Sequence, residues 1–363
     1  MALYEPELGY YRQGVRRIGR GGDFYTSVSV GPLLGELLVH YAHGLWLKMG
    51  CPSPFLWVEQ GAHDGQLAHD ILTAAHAFDA STQDGFFETL KYQIIEPDPT
   101  LRQAQQQKLT EYARQLYWSD TWAEVSGQGV VFCNELLDAF AVHLVKYRNN
   151  GWLEMGVKLD EAGQLQWVEQ QVLAPQLQNE LTSLSKECEF QEGQIIEINL
   201  AMLDWLQELT NSGFQGMLLL ADYGHAQREL FAPERMEGTL RRYRAHKSDG
   251  DILKDLGECD ITSHVNFTRL VKEAADLDWR LAEFIEQGRF LTRVSASLLQ
   301  TEGFIPSGTW IRQFQTLTHP NHLGQSFHML ALAKGNLAAE FCAPAQVEAA
   351  CRRLGLESAG HPD

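Results

Sequence analysis

The stretch Trp57-Val58-Glu59-Gln60-Gly61-Ala62-His63-Asp64-Gly65-Gln66-Leu67-Ala68-His69-Asp70-Ile71-Leu72 decides the fold. The apolar run Phe55-Leu56-Trp57-Val58 stops at an acid and a turn punctuated by glycines. Beyond it, Leu67, Ile71, Leu72 and Ala75 recur at helical spacing. This order predicts strand, tight turn and helix. In an open α/β sheet, a nucleotide-like ligand sits in the crevice beyond the carboxyl end of such a strand. From this segment alone, an ordinary βα connection without a ligand reads the same way.

Downstream the pattern repeats. Lys91-Tyr92-Gln93-Ile94-Ile95-Glu96-Pro97 is a second strand ending in an acid, residues 100–114 are Gln-rich and helical, and Leu116-Tyr117-Trp118 is a third strand before Asp120. The fourth, Gly129-Val130-Val131-Phe132-Cys133-Asn134, runs into Glu135-Leu136-Leu137-Asp138-Ala139. Strands alternating with helices at this pace predict a doubly wound, mostly parallel sheet.

From about 141 to 200 the texture changes. Runs of alternating polarity flank Asn149-Asn150-Gly151, a hairpin signature, and Leu165-Gln166-Trp167-Val168-Glu169 offers another antiparallel strand. Parallel order resumes with a helix near 200–209 and the strand Gly216-Met217-Leu218-Leu219-Leu220-Ala221-Asp222. Asp276 to Phe284 and Phe327 to Ala333 are expected to close the sheet, with a helix near 287–300 between them.

Upstream, Leu33, Leu34, Leu37, Leu38, Tyr41, Leu45 and Trp46 make one helical face. Before that face come three tyrosines and the run Arg16-Arg17-Ile18-Gly19-Arg20-Gly21-Gly22, read as a mobile loop. The expected division is therefore a lid segment at 1–50 and a core at 51–140 and 201–335. A β-rich insertion occupies 141–200, and a helical tail 336–363.

A net charge of -18, with 47 acids against 29 Lys+Arg, argues against a nucleic-acid partner, because phosphate binding relies on clustered cations. Six scattered cysteines without a Cys-x-x-Cys pair suggest reduced, cytoplasmic usage. No apolar run reaches the roughly 18 residues a membrane span needs, so no membrane span is expected. A homodimer is left open.

Four strand ends carry polar groups: Glu59, Glu96, Asn134 with Glu135, and Asp222. Parallel strands bring such ends to one edge. The turn lacks the middle glycine of a dinucleotide fingerprint and holds Asp64, which would repel a diphosphate. S-adenosylmethionine has no phosphate; its sulfonium, ammonium and ribose diol suit carboxylates. Glu96 is placed to accept from the ribose hydroxyls, and Asp120 to meet the adenine amino group.

Several ordered motifs then carry a family resemblance. Leu3-Tyr4-x-Pro6-x-x-Gly9-Tyr10-Tyr11, Gly22-Asp23-Phe24-x-Thr26-Ser27 and Glu96-Pro97-x-Pro99-x-Leu101-Arg102-x-x-Gln105 are three of them. Asn134-Glu135-Leu136-Leu137-Asp138-Ala139, Asp222-Tyr223-Gly224-His225, Gly238-Thr239-Leu240-Arg241-x-Tyr243-x-x-His246 and Gly257-Glu258-x-Asp260-Ile261-Thr262-x-His264 continue the series. Together they resemble the MidA family of S-adenosylmethionine-dependent methyltransferases from residue 3 to about 335.

The resemblance implies a class I methyltransferase sheet of seven strands with an antiparallel last strand. It also implies a protein substrate, since mitochondrial members are implicated in symmetric dimethylation of an arginine on a respiratory complex I subunit. The family usually has Glu-x-Gly-Pro-Gly-x-Gly in the first turn, where this chain has Ala62 and His63. Relatives also usually carry a helix upstream of the Leu-Tyr match.

The expected catalytic groups are Glu135 and Asp138, two carboxylates able to orient a guanidinium and take its proton, with Asp222 and Tyr223 on the neighbouring strand end. The expected cofactor contacts are Glu59, Gly61, Gly65, Glu96, Pro97, Asp120 and Asn134, with Asp23 and Phe24 closing over the site. Against this, Glu135 and Asp138 can also be read as first-turn acids of a helix. His63, His69 and His76 do not share one helical face, and no metal is expected. The alternatives are a methyltransferase for a non-arginine acceptor and a cofactor-binding assembly factor without turnover.

Overall fold

The computed structural model describes residues 2–5, 7–12, 26–244, 247–249, 251–300, 303–336 and 338–356. Asp23, Phe24 and the basic run 16–22 lie outside them. The first long helix, α1 (Leu33–Lys48), forms on the predicted apolar face, with Leu33, Leu34, Leu37, Leu38, Leu45 and Trp46 buried.

The apolar run at Phe55 becomes β1 (Phe55–Gln60), whose alternate residues serve different cores. Phe55 and Trp57 pack with α1, and Leu56 and Val58 pack on the opposite face. Burial on both faces is why the strand reads as an unbroken apolar run. Then come α2 (Gln66–Thr82), β2 (Leu90–Ile95), α3 (Pro99–Lys108), β3 (Leu116–Ser119) and β4 (Ser126–Asn134). Asp98 starts α3 by accepting from the Thr100 and Leu101 amides, and Pro99 sits where a helix tolerates it.

No helix follows β4. Residues 135–140 form a loop, so Glu135 and Asp138 are not first-turn acids, contrary to that alternative reading. The chain enters an antiparallel sheet instead: β5 (His143–Arg148), β6 (Gly151–Leu159), β7 (Leu165–Gln171) and β8 (Ile195–Ile198), in the order β7-β6-β5-β8. Asn149 and Asn150 both take positive φ (52° and 59°), the geometry a two-residue hairpin turn requires. Within this segment α4 (Pro175–Glu187) buries Leu177, Leu181 and Leu184 in the second core.

The crossover helix is α5 (Ala201–Asn211), leading to β9 (Gly213–His225). The irregular stretch after it holds a three-stranded sheet of β10 (Arg241–Arg244), β11 (Lys247–Asp249) and β12 (Asp260–Thr262), in the order β11-β10-β12. A short β13 (Val265–Asn266) pairs in parallel with the end of β9 and leads into α6 (Phe267–Asp276). The closing strands are β14 (Arg280–Glu286) and β15 (Phe327–Lys334), with α7 (Gln287–Leu299) and α8 (Gly308–Thr318) between them; α9 (Pro344–Leu354) follows. The first closing strand starts later than expected. Phe267, Leu270, Val271 and Ala274 share a helical face and keep the chain helical to Asp276.

The main sheet runs β14-β15-β9-β4-β1-β2-β3 and is parallel except for β15, antiparallel to both neighbours. This is the class I methyltransferase arrangement. Strand order reverses between β1 and β4, which opens a crevice at their carboxyl ends.

Candidate active site at the strand ends

The turn after β1 is left-handed at three positions: Gly61 (φ 82°), His63 (φ 48°) and Gly65 (φ 78°). Glycine takes this conformation freely, whereas a side chain there costs about 1 kcal/mol. His63→Gly is therefore expected to stabilise the protein by about 1 kcal/mol in urea denaturation. Unchanged or lower stability would mean that the imidazole makes compensating contacts. The His63 carbonyl accepts from Gln105 Nε2 at 2.9 Å. Asp64 accepts from the Gln66 amide (3.1 Å) just before α2 and pairs with Lys108 Nζ (2.5 Å). Burial opposes ionisation of Asp64, but the His63 imidazole 3.8 Å away and the hydrogen-bonded Lys108 ammonium hold its carboxyl well below the usual range.

The expected cofactor residues do not all reach this edge. Glu59 is only 3% exposed and turns into the sheet, where Tyr92 Oη donates to it at 2.6 Å. Burial pushes its carboxyl up to about 7. Glu96 accepts from the Asp98 amide (2.9 Å) and Gln105 Nε2 (3.2 Å), and burial raises its pKa. Pro97 is exposed. Asp120 is exposed and pairs with Arg102, whose guanidinium also donates to the Glu96 carbonyl.

Gln105 has a role that the sequence pattern does not reveal. It is fully buried and ties the first turn, Glu96 and Trp118 Nε1 (3.0 Å) together.

At the end of β4, Asn134 Nδ2 donates to Glu135 Oε1 at 2.8 Å. That bond fixes the amide, and Asn134 Oδ1 is left buried with no partner among the described residues. Glu135 itself has φ 52°, a strained conformation for a non-glycine residue and the kind of outlier found at functional sites. Its amide still bonds the Ala221 carbonyl (2.9 Å), so the loop leaves the sheet directly after it.

Asp222, at the matching height on β9, shapes that loop. Its Oδ2 accepts from the Leu137 amide (2.9 Å) and its Oδ1 from the Tyr223 amide (2.8 Å). Asp138, 4% exposed, lies on the same loop, and its carbonyl accepts from the Ser263 amide (2.9 Å).

A further carboxyl joins them. Asp260, on β12, is 3% exposed and accepts from Tyr11 Oη at 2.8 Å. Tyr4 stacks on Tyr11 and donates to the Ala139 carbonyl at 2.8 Å. Tyr243 lies opposite Asp260 in the β10–β12 register, and Tyr223 packs on Phe327. Arg12, next to Tyr11, pairs with Asp98 at 2.7 Å, so the N-terminal segment touches both the β2 end and the carboxyl cluster.

The electrostatics of this cluster are unusual. Burial pushes Glu135 up to about 8, reinforced by Asp222 and Asp260 against the Asn134 hydrogen bond. Asp138 is pushed well above the carboxylate range by burial, then by Asp222, Glu135 and Asp260. Burial pushes Asp222 up to about 7 despite four backbone donors. Among the described residues no cation pairs with Glu135, Asp138 or Asp222. Such a cluster favours a positively charged, hydrogen-bond-donating guest.

The structure thus brings Asn134, Glu135, Asp138, Asp222 and Tyr223 together and adds Tyr4, Tyr11, Tyr243 and Asp260. The additions were visible as motif letters, but no spacing rule links residues 11, 138 and 260.

The donor set also fits the cofactor inferred from sequence. Beside the crevice lie a buried, unpartnered carbonyl oxygen on Asn134 and the carboxylate of Glu96, acceptors suited to an ammonium and a ribose diol.

Known proteins agree. Residues 37–285 match a family described as "Putative S-adenosyl-L-methionine-dependent methyltransferase". The protein arginine methyltransferase NDUFAF7 homolog of Drosophila melanogaster is 28% identical over 375 aligned positions, covering 93% of this chain and 80% of the relative. The Danio rerio NDUFAF7 is 26% identical, covering 91% and 81%. A crystal structure from Burkholderia thailandensis, bound to S-adenosyl-homocysteine, superposes with a TM-score of 0.81 at 27% identity, covering 92% of this chain and 85% of that one.

These names correct one expectation. The Drosophila, Danio and Xenopus tropicalis relatives are mitochondrial proteins, which overturns the cytoplasmic placement read from cysteine usage. All six cysteines are free, but reduced thiols indicate a reducing environment, not a particular compartment. No helix among the described residues is long and apolar enough to cross a membrane. With the class I sheet, the family match across most of the chain and the fitting donor set, the chain belongs to this family of S-adenosyl-L-methionine-dependent methyltransferases.

Proposed function

We propose that the enzyme methylates an arginine side chain of a protein and seats the guanidinium among Glu135, Asp138 and Asp260. The observation that carries the reading is the cluster of half-buried Glu135 with buried Asp138, Asp222 and Asp260, in which the first three have no cationic partner among the described residues. The relatives named protein arginine methyltransferases favour arginine over other cations.

When bound, S-adenosyl-L-methionine supplies an electrophilic methyl group. The chain has two tasks. Asn134 Oδ1, Glu96 and the Gly61–Gly65 turn hold the cofactor. Glu135 and Asp138 hold the guanidinium through paired hydrogen bonds, which fix the attacking nitrogen. A guanidinium stays protonated in water. The proton lost from its nitrogen as the methyl is added passes to one of these carboxylates, which burial and like charge make unusually basic.

Asp222 positions the 135–138 loop, and Tyr223 walls the pocket. All these groups come from one chain, so the reading does not depend on a homodimer. The first acceptor to test is a subunit of a respiratory complex.

The test is transfer of a tritiated methyl group into a mitochondrial extract, followed by acid hydrolysis and amino-acid analysis. Label in methylarginines is expected. Label in lysine, or in base-labile esters, would overturn the arginine reading while leaving a methyltransferase.

A further inference from the structure

We infer that the antiparallel sheet inserted between β4 and α5 is a working part of the acceptor pocket, with Glu197 and Asn199 at the end of β8 as positioning residues for its two walls. The inference rests on the arginine reading above. Glu197 is 7% exposed and spends both oxygens on one short segment. Its Oε1 accepts from the Thr239 amide at 2.9 Å and the Leu240 amide at 3.0 Å, and its Oε2 from Thr239 Oγ1 at 3.1 Å.

The segment is built for that carboxylate. Gly238 has φ 58°, and a Cβ there would lie 2.2 Å from Glu197 Oε1. Directly after Leu240 comes β10, which carries Tyr243 opposite Asp260. Thr239 Oγ1 also accepts from the His264 amide at 2.9 Å, tying down the far end of the β12 turn. One wall of the cluster thus rests on Glu197.

The other wall rests on Asn199, two residues on. Its Nδ2 donates to the Leu137 carbonyl at 3.0 Å, on the loop between Glu135 and Asp138. Its Oδ1 accepts from the Met202 amide at 2.9 Å, starting α5. Because β8 pairs with β5 from His143 to Lys146, both contacts are anchored in the inserted sheet. The spacing between Asp138 and Asp260 is therefore set from the insertion. The cofactor groups Glu96, Gly61 and Asn134 receive no bond from it.

This separation gives the test. The probe is the tripeptide Gly-Arg-Gly, titrated by NMR into the full-length protein saturated with S-adenosyl-homocysteine. Affinity for S-adenosyl-homocysteine alone is measured by calorimetry. Glu197→Ala leaves three donors unmet and is expected to weaken the tripeptide roughly tenfold or more. Affinity for S-adenosyl-homocysteine should stay within about twofold.

Glu197→Gln should restore near-native tripeptide binding. Its carbonyl can take both amides, and its NH₂ can donate to the Thr239 hydroxyl. If the alanine variant fails to fold, Thr239→Val removes only the hydroxyl and should still weaken the tripeptide selectively. Native tripeptide affinity in the folded variant overturns the inference alone, as does an equal loss of both ligands. If the unaltered protein does not bind the tripeptide, the arginine reading falls and this inference with it.

Discussion

Glu135→Gln and Asp138→Asn are each expected to lower kcat/KM for the methyl acceptor by about 100-fold or more, because each removes an acceptor for the guanidinium and a base for its proton. The loss should come with a changed pH profile. Burial raises both carboxyls, Glu135 to about 8, so below that pH the free enzyme holds protons where the cationic acceptor must bind. The guanidinium keeps its charge throughout. The native kcat/KM should therefore climb as pH rises from 6 towards 9, and the climb should flatten in Glu135→Gln, whose amide does not titrate.

Stability should move the other way. A carboxyl whose folded pKa lies above its unfolded value binds more protons in the folded state, so it loses stability as pH rises from about 4.5 through 8. Replacing it with an amide removes that penalty. Glu135→Gln should thus unfold no more readily than the native protein at pH 8, while being nearly inactive. A variant that keeps its activity, or loses activity only because it melts, would remove Glu135 from the mechanism.

Asn134→Ala is expected to weaken S-adenosyl-homocysteine by roughly tenfold to a hundredfold in calorimetry. A buried acceptor without a partner is worth 1–3 kcal/mol once it gains one. The amide nitrogen is already committed to Glu135, so the oxygen is the group free to meet the ligand's ammonium. The empty protein loses only the Nδ2 bond to Glu135, a cost of about 1 kcal/mol, because Oδ1 accepts no bond from the described residues. If the variant binds S-adenosyl-homocysteine normally but melts early, Asn134 is structural.

The periodic parts of the fold were legible in the sequence. Buried parallel strands such as Phe55–Gln60 and Gly213–His225 leave apolar runs, and α1 leaves a face at three- and four-residue spacing. The loop at 135–140 was harder. Its acids at positions three apart imitate a helix start, yet the loop is held by Asp222, 85 residues away. The strand expected from Asp276 instead begins at Arg280, because a helical face before it wins.

The grouping of Asn134, Glu135 and Asp222 was legible because parallel strands share an edge. Glu59 was the exception: its carboxyl faces Tyr92 in the core, which its position at the end of a strand does not reveal. Asp260 and Tyr11 were missed because tertiary packing, not spacing, joins the N-terminal segment to β12. The motif letters around both residues marked them without saying what they touch.

Arginine binding at the carboxyl cluster underlies the whole proposed mechanism. Its most direct test is a crystal structure with S-adenosyl-homocysteine and an arginine peptide that the enzyme has been found to methylate. The guanidinium is expected within hydrogen-bond reach of Glu135 and Asp138, with Asp260 and Tyr243 beside it. A peptide bound with its arginine elsewhere, or with another side chain among these carboxyls, would contradict that mechanism.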